Sequence, residues 1–147
     1  MGRKTARDGG QLARAIAAVI EKTEAALQVS GSMQAVRVAA RLAAARLAFT
    51  EVVDFVVAHV RDAPNAVFAG SVPYLMLAGN LVAGWQLARS LLVAEQLAAQ
   101  GIEPTFMAAK VATAHFYAEH VLVQAPALRD RITQGADSVC AMALDAF

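Results

Sequence analysis

The chain has 147 residues and a net charge of +1, with 58% apolar and 17% charged residues. That length makes one domain with a sizeable core, and near-neutrality excludes a nucleic-acid surface built on bulk positive charge. Cys140 is the only cysteine, which excludes an internal disulfide and makes a reducing, cytoplasmic setting the expectation.

Residues 1–10, MGRKTARDGG, read as a polar lead-in or linker closed by the breakers Gly9 and Gly10. No apolar run of signal-peptide type follows them. From Gln11 to about Val29 the spacing of Leu12, Ile16, Val19, Thr23 and Leu27 predicts a helix, with Arg14, Glu21, Glu24 and Gln28 on a solvated face. Ser30-Gly31-Ser32 is a turn. A second helix is expected over Met33–Arg61, where Val38, Leu42, Ala45, Phe49, Val53, Val56 and Val60 recur at steps of three and four. Ala63-Pro64-Asn65 ends it.

Between Asp62 and Arg89 lie 26 residues without a charge. Their centre, VPYLMLAGNLVAGWQLA over 72–88, alternates bulky side chains with small ones. A run of that length would span a bilayer, but Ser71, Pro73, Asn80 and Gln86 dilute it and no basic cluster flanks one end. The favoured reading is the central helix of a bundle, apolar all round because it is buried all round. Gly79 and Gly84 then imply a neighbouring backbone passing close by. The helix starts either near Asn65, bending at Pro73, or at Ser71 with Pro73 in its first turn. One long kinked element ending near Gln100 is favoured, with Gly101 as its stop.

A fourth helix is expected from Glu103-Pro104 to about Gln124, with Pro126 interrupting it. A short piece over Ala127–Thr133 follows, and Asp137 or Ser138 would cap a last turn toward Phe147. Met107, Val111, Ala114, Ala118, Leu122 and Ala125 form the apolar face of the fourth helix. Lys110, Thr113, Tyr117, His120 and Gln124 form a polar line beside it, a candidate docking surface together with Arg89. The whole reads as an all-α fold: an up-and-down antiparallel four-helix bundle over 11–147 with a short C-terminal helical appendage.

Catalytic constellations are missing. There is no glycine-rich phosphate loop after a strand and no GxSxG. His115 and His120 are five residues apart and point to different sides of a helix, so with Glu119 they do not make a zinc pattern. A lone cysteine near a chain end is ordinarily inert.

The segments RKTARDGG (3–10), VPYLMLAGNLVAGW (72–85), AKVATAHFYAEHVLVQAPAL (109–128) and TQGADSV (133–139) together resemble the C-terminal part of bacterial acyl-CoA dehydrogenases. The subgroup is the one with an added C-terminal helical domain, which includes the methylmercaptopropionyl-CoA dehydrogenases. The resemblance runs in order over nearly the whole chain, though none of the segments is a catalytic motif. It implies a parent enzyme that uses FAD to remove hydrogens from the α and β carbons of an acyl-CoA, with base and flavin site upstream of the matched region. No catalytic, cofactor or metal residue is therefore carried over, and no cofactor is expected in this chain. The expected partners are the catalytic domains or a second subunit, with no nucleic acid and no membrane. Two rivals are a free-standing helical interaction module and a membrane-associated protein using 63–88.

Overall fold

The computed structural model describes residues 1–142 and 146, and every regular element among them is helical. The elements are α1 (Gly2–Ala6), α2 (Gln11–Ser30), α3 (Met33–His59), α4 (Pro64–Ala69), α5 (Ser71–Ala99), α6 (Pro104–His120), a 3-10 turn (Leu122–Gln124), α7 (Ala125–Thr133) and α8 (Ala136–Cys140). The continuation toward Phe147 lies outside the described residues.

The helix limits follow from local chemistry. The Asp8 carboxylate accepts from the backbone N–H of Gly10 at 3.0 Å and of Leu12 at 2.9 Å, satisfying donors that the first turn of α2 leaves open. Gly31 closes α2 at φ 75°, and Ser32 caps α3 by accepting from Ala35 N–H at 3.0 Å. Gly101, also at φ 75°, ends α5, and Pro104 opens α6, where its missing N–H is not needed.

α3 and α5 form the centre. α2 packs most extensively on α3, and α6 on α5, while α3 and α5 also meet each other and both touch α7. The α3 stripe lies where its spacing places it, with Val38, Leu42, Ala45, Phe49, Val53 and Val56 buried. The apolar face of α6 is likewise inward and continues through Leu122 into Ala125.

Four expectations need correcting. The stretch from Pro64 to Ala99 is two helices, α4 and α5, and not one long kinked element. Gly70 stands at the break, where a Cβ would lie 2.8 Å from Ile132 Cγ2, so α7 packs directly on it. Pro73 then falls in the first turn of α5, where no N–H partner is required. Pro126 likewise opens α7, and α6 ends at His120.

Secondly, α2 buries a face rotated from the expected one. Ala17, Ile20, Glu24 and Leu27 point inward, whereas Leu12, Ile16 and Val19 are exposed. Small Ala17 lets α3 approach, and Glu24 is drawn in by Arg46. The Arg46 guanidinium donates to both Glu24 oxygens, at 2.8 and 2.9 Å. Such a fork pairs both oxygens and makes a buried carboxylate tolerable.

Thirdly, α5 is apolar all round without being buried all round, and its two glycines differ. A Cβ on Gly84 would stand 2.7 Å from Leu122, but one on Gly79 would meet nothing within 4 Å. Finally, residues 1–10 are more than a polar lead-in. α1 lies against α3 and α4, Gly2 is buried, and Thr5 Oγ1 shares a 2.8 Å hydrogen bond with Tyr74 OH on α5.

Urea melts should separate these sites. Gly84→Leu overpacks a filled contact and should cost about 1–3 kcal/mol, whereas Gly79→Ala should stabilise by up to about 1 kcal/mol through helix propensity. Glu24→Ala removes the main partner of a partly buried guanidinium, which keeps Glu21 at 3.4 Å, and should cost about 1–3 kcal/mol. Glu21→Ala, at the exposed edge of the same cluster, should cost about 1 kcal/mol or less. Equal melts for the two glutamate variants would show that the Glu24–Arg46 pair is not buried in solution.

Candidate docking surfaces

The structure divides the six candidate interface residues between two places. On α6, Lys110, Thr113 and His120 are exposed, as is Gln124 in the turn that follows. Each is tied locally. Lys110 Nζ lies 5.0 Å above the Phe106 ring, and Thr113 Oγ1 donates to the Ala109 carbonyl at 2.8 Å. His120 stacks on Phe116 with ring centroids 4.3 Å apart, and Gln124 Nε2 donates to the His120 carbonyl at 2.9 Å. These contacts hold the polar groups against α6 and leave Phe106 and Phe116 exposed among them. Tyr117 is half-buried and reaches the Asn80 carbonyl of α5 at 3.5 Å. Burial pushes its phenol pKa up, so it acts as a packing group with a polar tip.

Arg89 stands elsewhere. It lies nine residues beyond Asn80, two and a half helical turns, and so on the opposite side of α5. There it caps the Trp85 ring at 5.5 Å and accepts company from Gln86, whose Oε1 takes its Nη1–H at 3.0 Å. Trp85 Nε1 in turn donates to Thr23 Oγ1 of α2 at 2.9 Å. The result is a groove between α2 and α5, lined by Val19, Thr23, Trp85 and Val93 with Lys22 and Arg89 among its walls.

A second surface was not singled out from the sequence. Val72 and Leu75 of α5 are 71% and 74% exposed, and Leu12 of α2 is 67% exposed. Leu12, Ile16 and Leu75 border a hollow with Phe49 and Tyr74 in its walls. The signal was the charge-free window itself, which reads equally well as burial in the fold or as a face kept dry by a partner.

Glu119 is committed to Arg41, whose Nη2 donates to it at 3.0 Å, and among the described residues no group of three or more His, Cys, Asp or Glu gathers to hold a metal. No helix among them is long and apolar enough to cross a membrane.

The Arg41 hydrogen bond is the first cause holding the Glu119 carboxyl below its ordinary range, against a smaller opposing effect of burial. The folded value is depressed, so this pair's contribution is present above the unfolded carboxylate value and is lost as pH falls through the folded one. In an NMR titration, Arg41→Gln should move the Glu119 midpoint upward toward the ordinary range. An unmoved midpoint would mean that the pair does not persist in solution.

Comparison with known proteins adds the context of this surface. A family model described as acetyl-CoA dehydrogenase C-terminal like matches residues 9–143. The chain is 46% identical over 144 residues to the 3-methylmercaptopropionyl-CoA dehydrogenase of Ruegeria pomeroyi, covering 98% of this chain and 24% of that protein. It thus spans about a quarter of the length of the curated relative it matches. No solved structure matches it.

Proposed function

Because this chain belongs to the acetyl-CoA dehydrogenase C-terminal-like family, we propose that it is the accessory helical domain of a bacterial, cytoplasmic, FAD-dependent acyl-CoA dehydrogenase. It packs on the catalytic body and does not itself carry out the α,β-dehydrogenation of the acyl-CoA thioester. The observation that carries this reading is the near-complete match of the chain to about a quarter of a dehydrogenase. Of the four long helices, α2 and α3, and α5 and α6, are joined by short connections, while α4 stands between α3 and α5, and this order supports an up-and-down bundle as the body of the domain. Its central pair is α3 and α5, with α2 and α6 on the flanks.

The paired glycines Gly9 and Gly10 offer no phosphate cradle for a flavin. The N-terminus of α2 is the place with paired glycines, and there the Asp8 carboxylate already takes the N–H groups that a phosphate would need. A Cβ on Gly10 would stand 2.8 Å from Val53, so that side is filled as well. Glu24 and Glu119 are paired with Arg46 and Arg41, and no step of proton abstraction is routed through either. FAD and acyl-CoA belong, in this reading, to the rest of the enzyme.

The domain's task is then positional. The exposed Lys110, Thr113, His120 and Gln124, with Phe106 and Phe116 among them, form the surface that meets the catalytic body. Arg89, on the α2 side of α5, meets a separate surface or a second subunit. A mixture of rings and hydrogen-bonding groups of low net charge suits a contact within one enzyme, which is partly dry and partly wet. Hydrogen exchange on the complete dehydrogenase and on residues 1–147 alone tests this. Amides of 106–124 should exchange more slowly in the complete enzyme. Equal exchange in both would leave the α6 stripe facing water.

A further inference from the structure

The groove between α2 and α5 presents two cations and no acid. Lys22 stands on its α2 wall and Arg89 on its α5 wall, and no carboxylate is among the residues that line it. Elsewhere an arginine at a helix seam has its carboxylate: Arg46 with Glu24, Arg41 with Glu119, Arg129 with Glu51. Among the described residues neither Lys22 nor Arg89 is in an ion pair. Val19, Trp85 and Val93 supply apolar surface along the same groove. We propose that it receives an acidic amphipathic helix from the remaining part of the same enzyme chain. The inference rests on the accessory-domain reading and names what its Arg89 side meets. About three quarters of the relative's length lies outside the match, ample chain to supply such a segment.

Charge decides the occupant. A partner without carboxylates would bury Lys22 and Arg89 unpaired, at a cost, whereas a carboxylate can take the Arg89 guanidinium in a two-pronged contact. Arg89 is held ready over the Trp85 ring at 5.5 Å, with its Nη1 donating only to the neutral Gln86 oxygen. The spacing fits a helix. Trp85 is bonded to Thr23, 62 residues earlier, and Glu95 to Ser32, 63 residues earlier. Near-equal offsets mean that α2 and α5 run parallel, with Lys22 level with Gly84. Arg89 stands five residues further, about 7 Å along the groove. Carboxylates three or four residues apart on a helix are separated by about 5–6 Å, so one such pair reaches both cations. The apolar side of that helix then rests on Val19, Trp85 and Val93, the mode in which an amphipathic helix fills a groove.

A carbodiimide joins an amine to a carboxylate already in contact and adds no spacer, so it tests the proposal on the complete dehydrogenase. Lys22 should be joined to an Asp or Glu outside residues 1–147 of its own chain. Co-assembled isotope-labelled and unlabelled subunits tell that link from one between subunits. Arg89→Glu repels the acidic helix and should lower the Lys22 link about tenfold. Arg131→Glu, at an exposed position on α7, should leave it unchanged. The proposal is overturned by no link from Lys22, or by a link only within residues 1–147 or to another chain. A link that Arg89→Glu leaves intact, or that both variants weaken alike, overturns it too. Slowed exchange of 106–124 without a Lys22 link would remove the groove contact and leave the accessory-domain reading standing.

Discussion

The burial of α3 and α5 at the centre is the constraint on which the other contacts depend, because each touches α2, α6 and α7 as well as the other. Both helices bury small side chains: Ala35, Ala39, Ala45 and Ala48 on α3, Gly84, Ala88 and Ala94 on α5. Among them stand larger residues, Leu42, Val52 and Val56 on α3 and Leu77, Leu81 and Leu91 on α5, all fully buried. Alternating large and small residues lets two helices interdigitate at native density without voids. α2, α6 and α7 then pack onto this pair from their own sides. Leu122 sits where Gly84 leaves room, and Ile132 where Gly70 does. Two glycines thus decide where the 3-10 turn and α7 come to rest.

Polar chemistry in this frame is sparse and mostly paired, His115 Nε2 being the buried side-chain atom among the described residues that has no hydrogen-bond partner. Glu24 with Arg46 joins α2 to α3, Glu119 with Arg41 joins α6 to α3, and Glu51 with Arg129 joins α3 to α7. Each arginine reaches from one helix to another, so the pairs fix which helix faces rest on α3 more than they add net stability. The hydroxyl bonds of Thr5 with Tyr74 and of Trp85 with Thr23, and that of Ser32 with Glu95, similarly pin α1, α2 and the α2–α3 turn to α5. The buried Glu24 and the half-buried Glu119 are each held by a guanidinium, and the half-buried Glu95 by Ser32.

The surfaces divide the labour accordingly. On α6, Thr113 donates to its own helix, as Gln124 does from the turn that follows, whereas Lys110 and His120 lie only over the Phe106 and Phe116 rings. On α5 the outward Val72, Leu75, Met76 and Val82 carry no hydrogen-bonding side chain and gain by leaving water. A partner that covers α6 must therefore pair the Lys110 ammonium, whereas cover of apolar groups alone suits this part of α5.

Much of this was legible in the chain. The helical class, the α3 stripe and the inward face of α6 follow from 3.6-residue periodicity, because one face of each is continuously apolar and the other is not. The turns at Gly31, Pro64 and Gly101 follow from backbone chemistry that is local by nature. The family resemblance also lay in the sequence, in segments spread from residue 3 to residue 139. What the sequence left undecided is wherever two faces of one helix are equally apolar. In α2, the expected line of Leu12, Ile16, Val19, Thr23 and Leu27 holds at Leu27, but Ala17 and Ile20 are buried in place of Leu12, Ile16 and Val19. Arg46 across on α3, pairing with Glu24, lies on the buried side. In α5, composition cannot distinguish Gly79 from Gly84. The first faces open space and the second faces Leu122, a residue 38 positions further along the chain. Periodicity reports that a face is apolar. Which partner covers it, from within the chain or from outside, is set by contacts distant in sequence, and those exist only once the helices have been assembled.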